Sequence, residues 1–122
     1  MAVLAKMQAL TKRRRTRVRV LRRWFGLSQA QFARAIGSSR ATVQRWEIAN
    51  SGPELNSAEG RMVEALVEAQ RMAVRLFGVR HARAWFRDPA PTFGGKAPLQ
   101  VLTSRGPIPV RDLLHAAGNG GY

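Results

Sequence analysis

The stretch RATVQRWE, residues 40–47, places Arg40, Thr42, Gln44 and Arg45 within six positions. An arginine guanidinium offers paired donors that match O6 and N7 of guanine, and a glutamine amide pairs in the same way with N6 and N7 of adenine. On the outer face of one short helix, these side chains suit hydrogen bonding to base edges in a duplex groove. Gln29 falls in the first turn of the preceding helix. Free backbone donors there favour an anion, so a phosphate contact is the chemistry expected of it. Upstream, Lys12, Arg13, Arg14 and Arg15 form a cationic run able to neutralise phosphates or enter a minor groove. A solvated tail has the same composition. Catalysis finds no comparable constellation: no paired carboxylates and no nucleophile beside a base stand out. His81 and His115 are isolated from acidic clusters and read as surface or packing residues, with no metal site implied. Gly94-Gly95-Lys96 lacks the spacing of a nucleotide loop, because Lys96 is not followed by Ser or Thr.

Two short helices must position the polar set. Ser28 caps the first, with Gln31 three residues on completing a capping box and Leu27 and Phe32 placed as a hydrophobic staple. Phe32, Ala33 and Ile36 form its apolar side, and Gly37 stops it in a left-handed turn. Ser39 caps the second helix, whose inward stripe is expected to be Val43 and Trp46. Helices this short need a partner, which RVRVLRRWF supplies through either Val18, Leu21 and Phe25 or Val20 and Trp24. Three helices around one small core result, with a helix-turn-helix at their centre. An ordinary helical hairpin with a polar outer face meets the same spacing, and the basic segment before it favours the nucleic-acid alternative.

Charge is unevenly distributed. Lys and Arg outnumber Asp and Glu by 12 to 1 in residues 1–47 and by 9 to 6 in residues 48–122, giving net charges of +11 and +3. A polyanion near the N-terminal half is therefore implied. The 122 residues, 45% of them hydrophobic, suffice for one modest core or two very small ones. The absence of Cys excludes disulfides and thiolate chemistry. No apolar run approaches the roughly 18 residues that cross a bilayer, and no membrane role is expected. In MAVLAKMQALTKRRR the apolar part precedes the charges, the wrong order for a secretory signal. A mitochondrial-type presequence fits this basic, acid-free composition, but the helix pair just downstream makes it the less economical choice.

Beyond the turn formers of residues 49–57, Ser57 can cap a long helix reaching Phe77, with Met62, Leu66, Ala69, Ala73, Leu76 and Phe77 as its apolar stripe. That stripe suits a core or a self-association interface. After a break at Gly78, Ala82, Trp85 and Phe86 form a short helix ended by Asp88 and Pro89. Gly94-Gly95 permits a tight turn, Pro98 opens a helix carrying Leu99, Val101 and Leu102, and Gly106 ends it. Pro109 then opens a last helix with Val110, Leu113 and Leu114 inward, followed by GNGGY as a flexible peptide. The expected fold is all-α: a helix-turn-helix bundle, a long helix and a small helical C-terminal subdomain.

Residues 27–47 resemble the Xre (lambda and Cro repressor-like) helix-turn-helix, through SQAQFARAIG and RATVQRWE. The resemblance implies Gln29 as a phosphate contact and Arg40, Ala41 and Arg45 as the base-facing set, with Ser39, Thr42 and Gln44 beside them. Ser38 departs from the apolar residue that usually follows the turn glycine, which should weaken local packing. The order Trp85, Asp88-Pro89, Phe93-Gly94-Gly95, Pro98-Leu99, Leu102, Gly106, Val110, Leu113-Leu114 and Gly118 resembles the toxin-binding domain of the Xre and ParS group of bacterial antitoxins. Phe93 replaces the more usual leucine there, and the RGPIP turn is atypical. Together the resemblances imply an antitoxin of a type II system that is homodimeric, binds a RES-type NAD-consuming toxin and represses its own operon by binding operator DNA. It would have no cofactor and no enzymatic activity, and would be cytoplasmic and nucleoid-associated. A stand-alone Xre-family regulator of phage or chromosomal origin is the alternative. The organisation expected is a basic arm over residues 1–15, a DNA-binding domain over 16–56 and a dimerisation and toxin-binding domain over 57–122. Trp85, Phe93, Gly94, Gly95, Arg105, Arg111 and Tyr122 are the toxin-contacting residues expected, with the tail after Gly118 following the toxin's cleft.

Overall fold

A computed structural model describes residues 18–119, so the basic run of residues 12–15 and the terminal Tyr122 lie outside the described residues. The described chain is helical: α1 over residues 18–25, α2 (Gln29–Ile36), α3 (Arg40–Ile48), α4 (Ala58–Arg87), a 3-10 turn (Pro91–Phe93), α5 (Pro98–Arg105) and α6 (Ile108–Gly118). No strand occurs among the described residues. The architecture is the all-α one expected, a helix-turn-helix bundle of α1–α3 followed by a long helix and a small helical subdomain.

Local chemistry fixes the turn between α2 and α3. The Ser28 hydroxyl accepts from the Gln31 amide at 3.1 Å while Gln31 Oε1 accepts from the Ser28 amide at 2.9 Å. Two otherwise unpaired helix-end groups are thereby satisfied. At the other end Gly37 takes φ 72 and the Ser38 N–H donates to the Ala33 carbonyl at 2.8 Å, closing a Schellman turn. That turn forms through backbone bonds alone, so the polar Ser38 is accommodated, half-buried. Ser39 Oγ then accepts from the Thr42 amide at 3.2 Å and starts α3.

One apolar core runs through both halves of the chain. Val18, Leu21 and Phe25 of α1 join Phe32, Ile36 and Val43 on one side and Leu66, Ala73, Phe86, Leu102, Val110 and Leu114 on the other. Of the two faces α1 could bury, Val18, Leu21 and Phe25 are inside, whereas Val20 is 67% exposed. The stripe expected for α3 requires correction: Val43 is buried, but Glu47 takes the second inward position and Trp46 is only half-buried. In α4 the buried set includes Val63 and Val67 as well as Leu66, Ala69 and Ala73, while Leu76 emerges at its edge. Helix α6 starts at Ile108, with Pro109 just inside rather than opening it. Leu113 is half-buried rather than inward.

Gly78 interrupts α4 with φ 84 and ψ 161, a conformation essentially confined to glycine. The break expected there is thus a kink between two helical segments, residues 58–77 and 79–87. It turns the second segment onto α1, where Phe86 meets Phe25 and Trp24 edge-to-face at 5.0 and 5.7 Å, a favoured aromatic geometry. The Gly94-Gly95 pair forms the expected tight turn, in which the Gly95 N–H donates to the Ala90 carbonyl and the Ala90 N–H donates to the Lys96 carbonyl. Among the described residues no helix is long and apolar enough to cross a membrane.

Candidate nucleic-acid and partner interfaces

Helix α3 presents Arg40, Ala41, Gln44 and Arg45 to solvent, with Thr42 half-buried. The Thr42 hydroxyl accepts from Ser39 Oγ at 2.9 Å and from Arg45 Nη2 at 3.0 Å. The second of these bonds holds the Arg45 side chain back along the helix against Thr42. The face is therefore polar, donor-rich and free of carboxylates, as the base-edge chemistry requires.

Beneath it lies a centre that residue spacing did not suggest. Glu47, 3% exposed in its side chain, accepts from Arg22 Nε at 2.7 Å and from Arg22 Nη2 at 2.8 Å, a two-pronged pair. Arg19 reaches the same carboxylate at 3.5 Å and donates to the Glu47 carbonyl at 3.1 Å, capping the end of α3. Arg22 also donates to the Leu27 carbonyl at 3.0 Å, and Gln29 Nε2 stands 3.4 Å from Glu47 Oε1. One carboxylate thus ties α1, the start of α2 and the end of α3. The Arg22 hydrogen bonds hold the Glu47 carboxyl below its ordinary range against the opposing effect of burial, with smaller help from Gln29 and Arg19. Reciprocally, the carboxylate raises the Arg22 guanidinium's affinity for its proton. The sequence did carry a signal, because Glu47 is the one carboxylate among the 12 cations of residues 1–47.

The C-terminal half carries a different surface. Leu76, Phe77, Trp85, Leu113, Leu114 and Ala117 line a groove of about 320 Å³ between α4 and α6. Trp85 stacks on Phe77 at 5.5 Å and meets Phe86 edge-to-face at 5.0 Å, so the groove wall continues into the core. Among the described residues expected to contact a toxin, Trp85 is the one lining this groove. Phe93 is half-buried against the core, and Gly94 and Gly95 form an exposed turn. Arg105 is exposed at the end of α5. Arg111 is engaged within the chain: its Nη2 lies 3.3 Å from Asp112 Oδ1 and its Nη1 lies 3.8 Å from Glu68 Oε2. His115 Nε2 lies 2.9 Å from the other Glu68 oxygen, which ties α6 to α4. His81 is exposed. Among the described residues no group of three or more His, Cys, Asp or Glu side chains could hold a metal ion.

Comparison with known families agrees with this division of surfaces. Residues 18–58, which include α1 to α3, match the helix-turn-helix family. Residues 72–120, which include the groove and α5 and α6, match the antitoxin Xre/MbcA/ParS C-terminal toxin-binding domain. No curated protein matches the chain.

Proposed function

We propose that this chain, an N-terminal Xre-type helix-turn-helix domain fused to an Xre/MbcA/ParS-type toxin-binding domain, is the antitoxin of a type II toxin-antitoxin system. It neutralises a RES-type, NAD-consuming toxin by direct binding and represses its own operon. The observation that carries this reading is the coincidence of the toxin-binding match with an open aromatic groove on a chain whose other half carries a donor-rich helix-turn-helix. Neither surface needs a cofactor, and the role is one of binding rather than catalysis.

In this reading α3 enters the major groove. Arg40, Ala41 and Arg45 face base edges with Ser39, Thr42 and Gln44 beside them, and the first turn of α2 at Gln29 meets a phosphate. Lys12, Arg13, Arg14 and Arg15 add salt-sensitive phosphate contacts. Trp85 anchors the toxin at the groove, with Phe93, Gly94, Gly95, Arg105, Arg111 and Tyr122 around it. Two copies, joined through α4 and the C-terminal subdomain, read a two-part operator in the cytoplasm, at the nucleoid. Co-expression with the product of the adjacent reading frame tests the assignment. An antitoxin restores growth, co-purifies with that protein and suppresses its NAD turnover. A chain that shifts operator DNA yet leaves a RES toxin fully active is instead a stand-alone Xre-family regulator.

A further inference from the structure

The second segment of α4 carries Arg80, Arg83 and Arg87, three and four residues apart and hence on one helix face. All three are exposed. The Gly78 kink and the packing of Phe86 on Phe25 and Trp24 bring this face to the C-terminal end of α1. There the Arg83 guanidinium sits 5.5 Å from the Trp24 ring centroid, a cation–π contact. The Arg87 guanidinium reaches Gly26, where a methyl group on that residue would stand 2.8 Å from Arg87 Nη2. Gly26 lies three residues before Gln29, in the turn that delivers the chain to the N-terminus of α2. Arg23, also exposed, precedes Trp24 in the sequence of α1.

None of these four arginines enters an ion pair among the described residues, whereas Arg19 and Arg22 on the same helix as Arg23 are held by Glu47. Asp88 follows Arg87 in the chain and forms no pair with it. Two of these unpaired guanidinium groups thus stand at the end of α1 and the turn that leads into α2, Arg83 over Trp24 and Arg87 at Gly26, next to the part of a helix-turn-helix that approaches the duplex backbone.

We propose that Arg83 and Arg87, with Arg23 and Arg80, form a second phosphate-contacting surface, so that the segment following the Gly78 kink holds duplex DNA alongside α2. The inference rests on the DNA-binding half of the proposed function. Its ligand is the sugar-phosphate backbone of a duplex, which guanidinium groups recognise by charge and bidentate hydrogen bonding. Contacts of this kind position the protein and carry no base information. Arg83 and Arg87 therefore contribute affinity without sequence preference. They sit on the segment that follows the Gly78 kink, which packs on α1 through Phe86.

The test is a titration of the full-length chain with operator and scrambled duplexes across a range of salt concentrations. For Arg83→Gln/Arg87→Gln, the slope of log affinity against log salt falls by about 1.8, since each lost phosphate contact removes about 0.9. Operator and scrambled affinities fall by the same factor. Arg83→Lys/Arg87→Lys keeps the slope. Should the first pair disturb the Trp24 contact enough to unfold the chain, Arg80→Gln/Arg87→Gln removes two charges without touching it and lowers the slope by the same amount. A folded variant with an unchanged slope overturns the inference, as does one that loses toxin affinity while keeping the slope, which would assign the arginines to the protein partner. A parent chain that binds no duplex at any salt overturns the inference and the DNA-binding half of the proposed function together. A parent that binds with a slope insensitive to these arginines overturns the inference alone.

Discussion

The outer face of α3 and the groove between α4 and α6 are built in opposite ways, and under the proposed function each would recognise its partner by different chemistry. The α3 face is polar and rests on a buried carboxylate with fixed partners. Its side chains are short-range donors whose direction matters. The groove is apolar, lined by stacked Phe77 and Trp85 and by Leu76 and Leu113, and its wall is continuous with the core. Direction counts for less there, and excluded water for more. The contrast teaches that one core can support both. Phe86 packs against α1 on one side and Trp85 on the other, so the two surfaces share their foundation yet carry different chemistry.

The largest expected effect breaks the foundation of the polar side. Glu47→Ala leaves Arg22 without its partner in a site where the carboxylate is 3% exposed, and loss of one member of a buried pair costs about 3–5 kcal/mol. Urea unfolding monitored by Trp fluorescence measures it, and a cost under about 1 kcal/mol, the scale of an exposed pair, would mean that the pair does not organise the fold. The same carboxylate sets an acid limit. Its folded-state pKa lies below the ordinary 4.5, so the stabilisation is fully present above that value and is lost as pH falls through the lowered one. Glu47→Gln removes this part of the acid sensitivity, visible as a flatter dependence of the unfolding midpoint on pH below the ordinary value.

Next in size is an apolar loss. Trp85→Ala removes the aromatic anchor of the groove and lowers toxin affinity by at least about 2 kcal/mol, read by calorimetric titration. Operator affinity changes little, provided the variant is folded by far-UV circular dichroism. Equal loss of both ligands would erase the distinction between the surfaces. On the polar side, Arg40→Ala or Arg45→Ala costs roughly 1–3 kcal/mol at the contacted base pair, seen as relaxed preference in competition between operator and point-changed duplexes. The smallest effect sharpens the account of local order: Ser28→Ala removes one cap bond and lowers stability by about 1 kcal/mol, read by urea unfolding. A loss several times larger would make Ser28 more than a cap.

Legibility followed the range of the interactions. The capping box at Ser28, the glycine turn at Gly37 and the cap at Ser39 are contained within a few residues, and the chain writes them out directly. The Gly78 kink was equally visible as a break. By contrast, Glu47 meets Arg22 across 25 positions and His115 meets Glu68 across 47. Helical periodicity alone assigned the inward position on α3 to Trp46, because a carboxylate enters a core only when distant cations neutralise it. The groove was half-legible: Trp85 stood out, but that Leu76 and Leu113 line one groove depends on how α6 lies on α4.

The most direct measurement of the central claim is a crossed binding experiment on full-length protein, in which two variants are each tested against operator duplex and against the toxin. Arg40→Ala/Arg45→Ala should lose operator preference and still co-purify with the toxin, suppressing its NAD turnover. Leu76→Asp/Leu113→Asp, with charges in the groove, should lose the toxin and still shift operator DNA. Two folded variants that lose the same ligand, or that both retain both ligands, would contradict an account built on two separate surfaces.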